Sequence, residues 1–343
     1  MSFDNLSGIK TKKLNLGLLI LFTFLALVFS SFVPGLGLLG VALLPIPTVL
    51  LVIMGRMRDG IICATASCLV LLAIDYILAP VTIVLIISVA FIYRWAIENK
   101  KTYWQVIITV LSAFFAAIIL YIILFSAFYR VNFFSEALAG YNEYIDGLMD
   151  DSFLEAYSSL MMFDRAQMGE IIAQTQSILR FVPRILPGIL AISFGVVSGL
   201  NYAFSVKIFK RYQIEIKPLA PFIKWDLPWH YVWGIIIGLV LVLIPEMGST
   251  AGNGTSTVNT VIDIVGYNLI IIFGFLYLIL GVSVFFGIFT RFKVGIVWKI
   301  LIFASLWFFF AFALIVFPLL GLIDIWANLR KLKRKEKKIN YKN

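Results

Sequence analysis

Between Lys13 and Arg56 the chain runs for 42 residues without an Asp, Glu, Lys or Arg, and comparable uncharged runs recur almost to the C-terminal tail. An α-helix rises about 1.5 Å per residue, so roughly 20 apolar residues cross a hydrocarbon layer of about 30 Å. Inside that layer every backbone amide must find its partner within the protein, which leaves helices as the form for runs of this length. The expected fold class is therefore all-α, a polytopic transmembrane bundle of eight or nine apolar segments. These are read at residues 14–33, 36–54, 60–78, 81–97, 103–129, 184–206, 229–246, 260–289 and 296–326. Pro34-Gly35 and Ala79-Pro80 punctuate the early segments as turn or helix-start signals.

Composition removes the alternatives. The chain is 62% hydrophobic and 13% charged, whereas a soluble domain carries about a quarter charged residues. The net charge of +10 does not mark a nucleic-acid binder, because the lysines and arginines sit in short connections and the tail rather than on one folded face. They fit the rule that cytoplasmic loops are basic. Lys10, Lys12 and Lys13, then Arg56 and Arg58, then Arg94, Lys100 and Lys101, then Lys207, Lys210, Arg211, Lys217 and Lys224, and last Arg291 and Lys293 fall on one side through eight spans. That side is the cytoplasm, and the N-terminus lies there. A ninth full crossing would put the basic tail outside, so residues 296–326, which include Pro318 and Gly321, are expected to be broken or re-entrant, or not to cross fully.

The expected organisation is a five-span N-terminal bundle (1–130), an extracytoplasmic amphipathic segment (131–181), C-terminal transmembrane helices (182–328) and a basic cytoplasmic tail (329–343). In the outer segment Phe134, Leu138, Tyr141, Ile145 and Leu148 recur at helical spacing, while the acids fall mainly on the other faces. Ser152 with Glu155 reads as a capping box for a second helix, and Asp164 as the cap of a third reaching about Phe181. Such helices lie at the membrane surface or cover a cavity among the spans. The tail from Arg330 to Lys342 suits anionic lipid.

Small residues four apart allow close helix approach in lipid, and Gly195 with Gly199 and Gly234 with Gly238 are candidates for it. Ionisable or polar groups in spans are candidate sites because lipid makes them costly. Asp75, Tyr76, Asp263, Asn201 and Tyr202 are the candidates for lining a ligand cavity, the first three on the outer side and the last two also placed to bond across helices. Cys63 and Cys68 read as small packing residues, and the sequon at Asn253 is an isolated match in a flexible connection. The only histidine is His230, beside interfacial Trp229 and Tyr231. No metal site, cofactor fingerprint or catalytic motif emerges, so the chain is not expected to be an enzyme and no cofactor is expected.

Pro183-x-x-x-Pro187, Asn201-Tyr202, Lys210-Arg211, Pro221-Phe222-x-x-Trp225-x-x-Pro228 and Gly321-Leu322-Ile323-Asp324-Ile325-Trp326 with Arg330 resemble the YybS-like family of uncharacterised bacterial membrane proteins. That family is distantly similar, through its first spans, to the S components of energy-coupling-factor transporters. The resemblance implies a helical domain of the bacterial cytoplasmic membrane that cradles a small molecule and docks to a membrane coupling subunit or envelope protein. Ala26 with Ser30 has the spacing of an S-component docking face, and Asp324, Trp326 and Arg330 join the partner or packing candidates. The function expected is a solute-binding or transport-related subunit without its own ATPase. The alternative is a membrane scaffold for cell-envelope or division machinery.

Overall fold

The computed structural model describes residues 15–32, 37–73, 75–147, 165–249, 257–293, 295–298, 301, 305 and 308–332. The first basic cluster, Pro34-Gly35, the caps expected at Ser152 and Asp164, the sequon at Asn253 and the tail beyond 332 lie outside them. The described residues form helices and their connections, with no strand among them. The helices are α1 (Leu16–Phe32), α2 (Gly37–Leu43), α3 (Ile46–Ile53), α4 (Met57–Cys68), α5 (Leu78–Glu98), α6 (Tyr103–Tyr129), α7 (Phe133–Gly147), α8 (Arg165–Arg211), α9 (Val232–Ser249), α10 (Thr257–Arg291) and α11 (Phe310–Ala327). Within them, Leu78–Glu98, Tyr103–Tyr129, Gly169–Arg211 and Thr260–Arg291 are long and apolar enough to cross a membrane. Leu16–Ser30, Gly37–Ile53, Trp229–Ile244 and Ala311–Ala327 are apolar but shorter.

Packing divides the chain into two units, residues 1–183 with 190–219 and residues 184–189 with 220–343. Side chains late in α8 bind the first helices, as Phe194 stacks on Phe114 with centroids 5.5 Å apart and Phe209 meets the edge of Tyr93 at 5.7 Å.

In the first unit α3 is the centre, with all eight of its residues buried. The segment expected to be one helix over 36–54 is instead two short ones. Pro45 and Pro47 carry no N–H, which deprives the Val41 and Leu43 carbonyls of their helical donors but suits the first turn of a new helix. A Cβ built on Gly40 would lie 2.6 Å from the Ala26 carbonyl and 2.8 Å from the Ser30 Cβ, so α1 and α2 touch nearly backbone to backbone. The Ala26/Ser30 face is thus covered by the chain's own α2. Thr102 and Gln105 close a reciprocal capping box at the start of α6.

The turn at Asn99–Thr102 makes α5 and α6 antiparallel, so Arg94, Lys100 and Lys101 gather at one end of the pair. Asp75 and the start of α7, with Glu136, lie at the other. Helix α8 continues through Pro183 and Pro187, where a helix end and a new start were expected. Pro183 cannot donate to the Leu179 carbonyl, and the Tyr141 hydroxyl of α7 does so at 2.8 Å. An exposed ion pair between Arg180 and Asp146 at 2.8 Å adds little, as surface pairs contribute about 0–1 kcal/mol.

In the second unit, residues 184–189 of α8 meet Asn268 of α10. The carboxamide donates to the Arg184 carbonyl at 2.7 Å and accepts from the Gly188 N–H, so one side chain serves both ends of a single helical rung. Its second N–H returns to Ile264 of its own helix at 2.6 Å. Helices α9 and α10 cross at Gly238 and Gly266, where a Cβ on either would sit 3.0 or 2.9 Å from the other's carbonyl. Gly234 lies against the Phe273 ring. Helices α10 and α11 cross more closely, at Gly281 and Gly321.

Candidate functional site

Asp75 lies between a 3₁₀ turn ending at Ala73 and the first turn of α5. Its Oδ1 accepts from the N–H groups of Ile77 (2.7 Å) and Leu78 (3.1 Å), an N-cap arrangement favoured because the first amides of a helix have no partner of their own. Its Oδ2 accepts from the Tyr121 hydroxyl of α6 at 2.7 Å. Tyr76 is 41% exposed, and its ring packs on Phe128 (4.8 Å) and Tyr129 (6.1 Å).

The second polar node lies deep in the first unit. Ser198, Asn201, Tyr202 and Ser205 follow helical spacing on one face of α8, and all are fully buried. Asn201 accepts from the Tyr93 hydroxyl at 2.8 Å and donates to the Ala42 carbonyl at 2.7 Å, at the α2/α3 break. The Tyr202 hydroxyl donates to the Lys217 carbonyl at 2.5 Å. Asn201 bonds to two other helices, whereas Tyr202 bonds to the connection that follows its own helix. The Ser198 and Ser205 hydroxyls have no partner among the described residues. Asn201→Leu strands the Tyr93 hydroxyl and the Ala42 carbonyl and is expected to cost about 1–3 kcal/mol, whereas Ser198→Ala costs little or nothing. Detergent melting curves compare the two directly.

The third node binds the C-terminal motif into the second unit. Gly321 and Asp324 are three apart and face α10, while Trp326 turns outward and is 62% exposed. Asn328 adopts a left-handed conformation that ends α11 and turns the chain back, bringing Arg330 over its own helix terminus. Asp324 Oδ2 then receives Arg330 Nη2 at 2.8 Å and Nε at 3.1 Å, with the side chains 0% and 2% exposed. Arg330 Nη1 reaches the carbonyls of Ile223 (3.0 Å) and Trp225 (2.8 Å) and the Ser283 hydroxyl (2.9 Å). Ser283 in turn donates to the Phe222 carbonyl at 2.6 Å. Gly287 makes room, since a Cβ there would lie 2.7 Å from Arg330 Cδ. The Pro221–Pro228 segment and the Gly321–Arg330 segment thus close on one guanidinium.

Asp263 is half-buried on α10 with no hydrogen-bond partner among the described residues. Asp75 belongs to the first unit and Asp263 to the second. Gly234 and Gly238 lie at a helix crossing, but a Cβ on Gly195 or Gly199 meets nothing within 4 Å, so that pair makes no close crossing among the described residues. Sequence reasoning missed Asn268, Ser283, Tyr93 and Tyr121. An Asn inside an apolar span was a signal for the first of these, since lipid makes an unpaired amide costly. The described residues hold no cluster of His, Cys, Asp and Glu suited to a metal.

No curated protein and no solved structure matches the chain. Residues 20–325 match the family described as "Predicted membrane protein (DUF2232)". That match covers most of the chain, and the protein belongs to the DUF2232 family of predicted membrane proteins.

Proposed function

We propose that the chain is a solute-binding, transport-related subunit of the bacterial cytoplasmic membrane, crossing it eight or nine times with its basic loops inside. The first unit is the binding body, and the end bearing Asp75 faces outward. The observation that carries this reading is the Asp75 node, where an acidic group at the rim of an apolar bundle is held by Tyr121 and flanked by the partly exposed Tyr76. Charge asymmetry supports the orientation, with Lys100 and Lys101 at the opposite end of the α5–α6 pair. In this reading the chain is not an enzyme, uses no cofactor and draws its energy from a membrane coupling subunit. The YybS-like and S-component resemblances point the same way.

Native mass spectrometry of protein extracted gently into lipid nanodiscs tests the reading. A small-molecule adduct that is diminished in Asp75→Asn supports it. Wild-type protein that carries no adduct, and takes up none from a cell-extract metabolite pool, removes it.

A scaffold for envelope or division proteins rests on a different observation. Phe134 and Leu138 of α7 and Ile178 of α8 are 67%, 48% and 67% exposed on a segment assigned to the aqueous side, where a protein partner would cover them. A cross-linked envelope protein lost on Phe134→Ser, in protein that carries no solute, favours this second reading.

A further inference from the structure

We infer that the Asp75 end of the first unit takes an organic cation, a methylated or alkylated ammonium group seated between the carboxylate and the surrounding aromatic rings. This rests on the solute-binding reading and names its ligand class.

The carboxylate makes no ion pair with a lysine or arginine among the described residues. Its three donors, the Tyr121 hydroxyl and the amides of Ile77 and Leu78, are neutral, so they hold the charge in place without cancelling it. A fixed negative charge at an apolar rim attracts a positive ligand.

Around it stand aromatic faces. Tyr76 packs on Phe128 and Tyr129, Tyr121 on Phe125 at 6.0 Å, and Phe125 on Tyr129 at 4.6 Å. Tyr76, Phe128 and Tyr129 are 41%, 65% and 46% exposed among the described residues. The negative face of an aromatic ring attracts a cation, and quaternary ammonium groups are well suited because their apolar substituents lose little hydration on contact. A hard metal ion is the poorer fit, since it needs six or more oxygen ligands and these rings offer few. Ring centroids 4.6–6.1 Å apart describe a packed wall rather than a closed cage, so the expected binding is moderate and depends on the carboxylate.

An ammonium headgroup can arrive on a free solute or on a lipid, so the test separates the two. Full-length protein is placed in nanodiscs of phosphatidylglycerol alone and titrated with choline and with its uncharged isostere 3,3-dimethylbutan-1-ol. Saturable choline binding is expected, weakened about ten-fold or more in the isostere and in Asp75→Asn, and partly restored in Asp75→Glu. Tyr76→Ala weakens it with the fold intact by melting temperature. Competition by phosphatidylcholine discs, absent with phosphatidylglycerol, assigns the same seat to a lipid headgroup as well. Equal binding of choline and the isostere, or no change in Asp75→Asn, overturns the inference. A native adduct that is neutral or anionic overturns the cation and leaves the solute-binding reading standing. Absence of every adduct and of choline binding removes both.

Discussion

Asp324→Ala is expected to destabilise the second unit by about 3–5 kcal/mol, because it leaves the Arg330 guanidinium buried without its counter-charge. The pair stands almost out of contact with solvent, and Arg330 is also the junction for the Ile223 and Trp225 carbonyls and the Ser283 hydroxyl. Arg330→Met is expected to be damaging in the same range, since it removes the buried counter-charge of Asp324 and the donor shared by three acceptors. The double variant should lose less than the sum of the two, since neither charge is left alone. Breaking the exposed Arg180–Asp146 pair, which has a similar separation of 2.8 Å, should cost under about 1 kcal/mol. Denaturant titration in mixed micelles, read by fluorescence, gives the comparison. If Asp324→Ala and Asp146→Ala cost the same, the closed node plays no special part in stability.

Gly281→Ala should be nearly as severe, at about 1–3 kcal/mol and toward the upper end. The added Cβ overlaps the carbonyl of Phe317, which is backbone and has no rotamer to yield. Gly321→Ala meets the Tyr277 carbonyl and stands 2.8 Å from the Gly281 nitrogen, so the two substitutions test one crossing. Helix propensity by itself predicts the opposite sign, because Ala is favoured over Gly in a helix interior by about 1 kcal/mol. Gly195→Ala and Gly199→Ala supply that contrast, having open space at the new methyl, and are expected to be neutral or slightly stabilising. Equal melting temperatures for Gly281→Ala and Gly195→Ala would show that the α10–α11 approach is not tight in solution.

The long apolar runs made the helical class legible, because hydropathy is summed over some 20 residues and tolerates local error. Local signals served less well where a distant side chain decides the outcome. Pro183 and Pro187 read as a helix start, yet α8 passes through them because Tyr141 takes up the Leu179 carbonyl and Asn268 holds the next rung. Pro45 and Pro47 stood in plain view, but a uniformly apolar segment hid the break they impose. Small-residue spacing found the crossing at Gly234 and Gly238 but also marked Gly195 and Gly199, which make none among the described residues, and it missed the closest one. Gly281 and Gly321 are partners across two helices and form no pattern within either one. Asp324 and Arg330 were legible as charged residues beside an apolar run. The rest of their node comes from Ser283, Gly287 and two carbonyls, and no spacing rule gathers these.

The joint between α2 and α3 has a consequence for biogenesis. The Ala42 carbonyl is satisfied by Asn201, which follows it by 159 residues. At ribosomal speeds of roughly 5–20 residues per second, that acceptor waits about 8–30 s before its native donor has been synthesised. Helix α3 ends with no side left for lipid, so during this interval the nascent pair needs a provisional wet or proteinaceous shelter. The amino-terminal quarter of the chain is made early and completed late, and insertion machinery must hold it until α8 arrives.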